Sequence, residues 1–569
     1  VIRQVIRISG LSVATLLAVA SLSAQTGSRL WTPEERTLIT DFSVVDAVAA
    51  DENMLYVVSR AGIGVYDRRS MQWQHPVTVL DGYVPQPAAA ALIDPSDGSL
   101  WIATASAVVH YSPRMRLLET VPVAGGVSQL VIDRSDPFAG VYVRGRSGWM
   151  FLPRGGVIPQ PTATVPQTGN LLRAARIAEI LRRYPNIETM RSGVLVDDRL
   201  RSHRFTSAAE VRLTADVFLG TDGLGVVRYD AQTTDFEPMP FGLLTEGAMA
   251  LAVVPEGVWV AGDDRSPRSG FTLVSSDLQR FEHEEGSSIT GLRLGRVRDL
   301  VSSGGRLWAA SEAALVTVEQ GMDPMRITTV DGLPADRVLS LASAPDGVWV
   351  GTQRGLAFVS DGGTVERIGQ QLFAPVLSLA SSGAAVWVGT RSGLALSWTG
   401  TDRVVVPPDA QGVPDLNAPI VSIATNGDTV VVATRDRMVI RTGSGERGAG
   451  SGPPRPSPMP GSGEQGAESG VTSAECRVQS GECEQQGWFA ERVISVELGD
   501  LTSVAVDRDG VWVGGTRGIA HYQIATRAFV FFNAPGDVPG PVLDLATDEQ
   551  YLWVATERGL VRFVKAALR

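Results

Sequence analysis

Cysteine is almost absent from this sequence, which has two in 569 residues, Cys476 and Cys483. That excludes a disulfide-framed scaffold and a thiolate-built metal centre. Lysine is scarcer still, with Lys565 alone against 49 arginines, and there are five histidines. These histidines (His75, His110, His203, His283 and His521) are scattered and show no metal-ligand spacing such as H-E-x-x-H. No apolar run beyond the first two dozen residues is long enough to cross a bilayer as a helix. Nor is there an excess of positive charge. The formal net charge is −11, which argues against nucleic acid as a partner.

The N-terminus reads as an export signal over residues 1–24. Arg3 and Arg7 precede the apolar stretch Leu11 to Ala20, and small residues follow at Ser21, Ser23 and Ala24, where cleavage would occur. The mature chain is therefore expected to be periplasmic or extracellular, with no transmembrane segment. In that setting Cys476 and Cys483 are expected to form a local disulfide.

The strongest positive signal is internal repetition. Val338 to Val359 (VLSLASAPDGVWVGTQRGLAFV) aligns almost without gaps with Val376 to Leu396, Leu501 to Tyr522 and Val542 to Phe563. The shared pattern is an alternating apolar strand, a polar turn and an apolar-Trp-Val strand, then a tight turn ending in Gly and a third strand. Weaker copies centre on Tyr56, Trp101, Tyr142, Phe218, Trp259, Trp308 and Val431. Eleven copies of about 40 residues predict an all-β protein built from four-stranded propeller blades, with the aligned tryptophans packed between them. The last copy ends at Phe563 without a fourth strand. Glu35 to Thr40 precedes the first copy and reads as the missing one, so a swapped terminal strand should close the structure. Because propellers usually have four to eight blades, two rings are expected: 30–274 and 275–569. A single large ring over 30–569 is the alternative.

These repeats resemble the two-component regulator propeller repeat. The likeness rests on Asp331-Gly332-Leu333-Pro334, Val338, Gly347-Val348-Trp349-Val350-Gly351-Thr352 and Gly355-Leu356. The resemblance implies a propeller fold and an extracytoplasmic binding or sensing role towards glycans or proteins, and it carries no fixed catalytic residues. No kinase or DNA-binding region follows in this sequence, so a standalone binding or assembly scaffold is the better reading.

Two insertions interrupt the repeat. Residues 153–204 contain a Pro/Thr-rich stretch and an expected amphipathic helix, Asn170 to Tyr184, which would pack on the propeller or dock a partner. Residues 441–487 are rich in Gly, Ser, Pro and Glu and are expected to be a disordered loop.

No nucleophile elbow, phosphate loop or calcium loop is recognisable, and no catalytic residue, metal site or cofactor is assigned. One recurrence points to binding. The turn between second and third strands carries arginine at Arg60, Arg144, Arg265, Arg354, Arg391, Arg435, Arg517 and Arg558. Equivalent turns share a face, which would give a cationic rim suited to carboxylates or phosphates. The expected function is an extracytoplasmic scaffold for a protein or anionic glycan, of a kind that also suits an envelope complex. The alternatives are an enzyme of lyase or hydrolase type acting on an extracellular polymer, and a purely structural envelope component.

Overall fold

Each copy of the repeat forms one antiparallel sheet. The computed structural model describes residues 31–135, 140–163, 165, 170–187, 194–197, 200–262, 268, 270–285, 295–319, 325–369, 372–442, 487–492 and 495–568. The export signal, Cys476, Cys483, Arg265 and nearly all of 441–487 lie outside the described residues. Within them are eleven sheets, most with four strands in up-and-down order, and the chain is an all-β propeller.

The sheet beginning at Val338 shows how the repeat works. Its strands are Val338–Ala344, Gly347–Thr352, Gly355–Ser360 and Val365–Ile368. Gly347–Thr352 is buried along its whole length because neighbouring sheets cover both of its faces. The tryptophans sit in these middle strands: Trp101, Trp308, Trp349, Trp512 and Trp553 are among the most deeply buried side chains.

Sheet packing follows two groups. The inner strands Ala248–Val254, Val297–Ser303, Val338–Ala344, Val376–Ser382, Ser422–Asn426, Leu501–Val506 and Val542–Thr547 pack in that order, and the last packs back on the first. Seven sheets thus form a closed circuit. In the other group Ser202–Val211 packs on Ala47–Ala50, which packs on Ala88–Ile93, which packs on Val127–Asp133. The expected boundary at 274/275 falls inside the strand Gly270–Ser275, so a division into 30–274 and 275–569 does not follow the packing. Counting copies could not reveal this, because every sheet offers its neighbours the same kind of apolar face.

The swapped strand is present. Arg36–Ile39 pairs antiparallel with Gly559–Val564 and completes the sheet of Val542–Thr547 and Tyr551–Thr556. The four-sheet group is therefore threaded between the first strand of the seven-sheet circuit and the rest of it. Gly559 (φ +133) allows the close approach, since a β-carbon there would collide with the carbonyl oxygen of Ile39.

The insertion is only partly helical. Leu171–Arg173 is a strand paired with Val131, Ile132 and Asp133, and the helix is confined to Ile177–Arg183, with Ile180 buried. The expected helix from Asn170 is thus corrected at its N-terminal end, where an unpaired sheet edge captured Leu171 and Leu172. Val194–Val196 likewise adds to the edge at Ser202, His203 and Arg204.

A belt of side chains around the common axis ties most of the seven inner strands to the next. It occupies the third position of the repeated motif: Ala250, Asp299, Ser340, Ser378, Ser422, Ser503 and Asp544. Asp299 accepts from Leu341 N–H of the next sheet at 2.7 Å, and Ser378 from Ile423 N–H at 2.8 Å. Ser422 accepts from Val504 N–H at 3.2 Å, and Ser503 from Leu545 N–H at 3.2 Å. Asp544 accepts from Leu251 N–H at 2.9 Å, across 293 residues of sequence, which ties the last sheet of the circuit to the first, while Ser340 Oγ instead donates to Val376 O at 3.2 Å and Ala250 offers no such bond. An innermost strand has no further strand on its axial side to pair these amides, and leaving one unpaired costs about 1–3 kcal/mol.

Candidate functional site

The rim arginines come from a turn with a local cause. The hydroxyl ending the second strand accepts from a turn amide and donates to the carbonyl that opens the third strand. Thr352 Oγ1 donates to Gly355 O at 2.9 Å, and Thr390, Thr434 and Thr556 donate to Gly393, Arg437 and Gly559. Side chains inside this tight turn project outward. Arg60, Arg354, Arg391, Arg435, Arg517 and Arg558 are all exposed.

Five of these six belong to consecutive sheets of the circuit, whereas Arg60 lies in the four-sheet group. Arg435 is paired with Asp500 at 2.8 Å. Arg354, Arg391 and Arg558 have no ion pair among the described residues. The rim is also interrupted: in the sheet of Val297–Ser303 the same turn carries Glu312, held by Arg298 and Arg337 at 2.9 and 3.0 Å. Arg144 is not a turn residue. It lies inside the strand Gly140–Gly145, over the Trp149 ring.

A second feature, invisible in the sequence, is a cleft of about 380 Å³ between the two groups of sheets. One wall comes from the four-sheet group, with Trp73, His75 and Tyr111. The other comes from the circuit, with Thr37, Gln279 and Arg562. Its floor is aromatic, with Trp73 stacked on Phe241 at 4.2 Å. Gln279 joins the walls, accepting from Trp73 N–H at 2.9 Å and donating to Trp73 O at 2.8 Å. Farther along the seam Arg201 grips Glu285 at 2.7 and 2.8 Å and Asp197 at 2.6 Å, and His203 Nε2 lies 3.3 Å from that Asp197.

Most charges lining the cleft are matched. Arg116 pairs with Glu34 at 3.1 Å, and His75 Nε2 meets Asp81 at 3.1 Å. Burial alone would raise the Asp81 carboxyl, but hydrogen bonds from His75 and Thr78 outweigh it and hold it below the ordinary carboxylate range. Arg562 is different. Its Nη1 donates to Ser276 O at 2.5 Å and its guanidinium lies over Tyr551 at 4.8 Å, yet no carboxylate pairs with it among the described residues. Burial lowers its pKa against the opposing pull of Tyr551 and of the more distant Asp277 and Asp548, and its Nε has no hydrogen-bond partner. His75 Nδ1 is likewise buried and unpartnered. A half-buried guanidinium with no carboxylate at ion-pair distance among the described residues, lining the same cleft as an unsatisfied imidazole and an aromatic floor, is chemically suited to a small carboxylate carrying a ring.

Two further histidines serve packing. His110 and His521 stack on Trp101 and Trp512 at 4.1 Å. Among the described residues no group of three or more His, Cys, Asp or Glu could hold a metal ion, and no helix is long and apolar enough to cross a membrane.

No family model matches the sequence, and no curated protein matches it. Solved structures give distant likenesses. The extracellular domain of a hybrid two component system from B. thetaiotaomicron is 12% identical, with 93% of this chain and 72% of that chain covered and a TM-score of 0.39. A virginiamycin B lyase from Staphylococcus aureus is 11% identical over 56% of this chain and 94% of that chain, with a TM-score of 0.39. PorZ, a surface component of the type-IX secretion system of Porphyromonas gingivalis, is 13% identical over 94% of this chain and 81% of that chain, with a TM-score of 0.31. At these values the likenesses say nothing about the role of this chain.

The two hydrogen bonds of Gln279 give a direct prediction. Gln279→Ala should lower stability in urea titration by about 1–3 kcal/mol and raise amide exchange around Trp73. An unchanged midpoint and unchanged exchange would show that the walls do not depend on this contact.

Proposed function

We propose that this chain is an exported binding protein of the two-component regulator propeller kind, and that its ligand is an acidic glycan whose carboxylate is held in the cleft by Arg562. The observation that carries this reading is the half-buried Arg562 guanidinium with no carboxylate at ion-pair distance among the described residues. The ring-sized volume, the aromatic floor and the polar groups of His75 and Gln279 support a polyhydroxylated ring over a bare anion. Periplasmic or extracellular placement rests on the N-terminal export pattern.

A second contact is favoured by Arg354, Arg391 and Arg558, which project unpaired from equivalent turns. They would engage a longer anionic glycan or an acidic protein surface. In an up-and-down sheet, turns between second and third strands lie at the opposite end from turns between third and fourth strands such as Asp277–Gln279. The rim and the cleft wall therefore belong to different faces.

Calorimetric titration with D-galacturonate and D-galactose tests the cleft. The acid should bind and its neutral counterpart should bind at least tenfold more weakly. Arg562→Met should abolish that difference, a charged hydrogen bond being worth about 1.5–3 kcal/mol. Equal binding of both sugars, or unaltered preference in the variant, would refute the cleft as a carboxylate site.

The rim is tested with polygalacturonate. The triple variant Arg354→Ala, Arg391→Ala, Arg558→Ala should bind about tenfold or more weakly at low salt, with a shallower salt dependence. Wild-type affinity in the triple variant would remove the rim from the account.

A further inference from the structure

The inner strands of the circuit share an irregularity beside the belt. In the strand Val338–Ala344 the ladder passes from Val338, opposite Thr352, to Ser340, opposite Gly351, so Leu339 is bulged out without a partner. The same slip leaves out Met249, Leu377 and Leu543 in their strands, and Val421 holds the equivalent place before Ser422. A bulge re-aims one side chain. Both faces of the strand are already taken, since Val338 and Leu341 pack with Trp308 of the preceding sheet and Ala342 with Leu379 of the following one. Leu339 is left to the axial side. It is partly exposed, as are Leu377, Val421 and Leu543, and none of the four joins an apolar cluster between sheets.

The fold does not require large apolar residues there. In the four-sheet group the same bulge carries Ala89, Ser128 and Thr206, and the two hydroxyls donate to Arg144 O and Val45 O at 3.1 and 2.6 Å. The circuit instead gathers aliphatic side chains at one end of its axis, and Thr502 in the same ring has its Oγ1 buried without a hydrogen-bond partner. That end is the face of the arginine rim, because Val338 lies opposite Thr352, which leads into the turn of Arg354. Loops entering this face add two apolar tips, Val330 at 92% exposed and Phe373 at 79%. The Arg354 turn sits between those loops: a β-carbon on Gly355 would stand 2.6 Å from Leu372 O and 3.8 Å from Pro334 Cβ.

We propose that this face binds an acidic segment of a partner protein, with one aliphatic side chain of the segment seated on the ring of Leu339, Leu377, Val421 and Leu543 and its carboxylates on Arg354, Arg391 and Arg558. The inference rests on the reading of the rim as an anion contact and names its partner. A polyhydroxylated chain would set hydroxyls against aliphatic side chains and lose their hydrogen bonds. A flat anionic bilayer would meet Asp331 and Asp336, which are exposed in a loop on the same face. A narrow segment reaches the arginines and avoids both.

Fluorescence anisotropy on the full chain tests this, with a labelled glutamate-rich peptide that has a central leucine and a twin that has serine there. The leucine peptide should bind about tenfold more tightly, as burial of most of one aliphatic side chain implies. In Leu339→Ser, Leu377→Ser, which installs the hydroxyl that the four-sheet group uses at this bulge, the preference should vanish while the weaker affinity remains. In Arg354→Ala, Arg391→Ala, Arg558→Ala both peptides should weaken and the preference for leucine should persist. Equal binding of the two peptides by the wild-type chain, or a preference that survives Leu339→Ser, Leu377→Ser, overturns the inference and leaves the rim standing. Failure of both peptides to bind overturns the inference together with the reading of the rim. Capture of phosphatidylglycerol vesicles that is lost in Leu339→Ser, Leu377→Ser, with no preference between peptides, overturns it in favour of a lipid.

Discussion

A circuit of sheets must close on itself, and the last sheet of this chain supplies only three strands of its own. Pairing of Arg36–Ile39 with Gly559–Val564 resolves that deficit, and much of the architecture depends on it. Because the completing strand comes from the start of the chain, everything between Ile39 and Ala248 is held as an excursion from the circuit. The four-sheet group is that excursion. Arg36 reinforces the junction, donating to Gly536 O at 2.7 Å and to Leu80 O at 3.1 Å, and so touches both groups. Trp31 adds a bond from Nε1 to Asp537 at 2.8 Å. One apolar cluster runs through the junction, with Ile39, Val48, Trp73, Phe241, Phe281 and Trp553 as members.

Closure by a strand fixes the outer edge of the last sheet, and the belt fixes the inner edges of most sheets of the circuit. The two solve the same problem, backbone groups without partners, by different means. At the outer edge another strand supplies a ladder. At the axis there is no room for one, so a short side chain reaches across to the neighbouring amide. Serine does this without charge. Asp299 and Asp544 do it with a carboxylate oxygen that accepts from the neighbouring sheet's amide.

The repeat made the sheets, the buried tryptophans and the orphan strand at Glu35 to Thr40 legible in the sequence. All of these follow from local alternation and from counting strands. The grouping of sheets was not legible, since it depends on which of many similar apolar faces meet. The insertion misled for a related reason. Asn170 to Tyr184 has helical periodicity, but Leu171 and Leu172 also suit a strand, and the open edge at Val131 to Asp133 decided between them. The third-position Ser or Asp of the belt is visible in VLSL, LTSV and VLDL, yet its role appears only when the strands are arranged around an axis. Neither could the cleft be seen, because Trp73, Gln279 and Arg562 are hundreds of residues apart in sequence.

The claim that the N-terminal strand closes the circuit is tested most directly by removing it. A chain beginning at residue 41 should melt at markedly lower temperature and with lost cooperativity, and a synthetic peptide of residues 31–42 added in trans should restore both. A truncated chain that melts like the intact one, whether or not the peptide is present, would contradict the account.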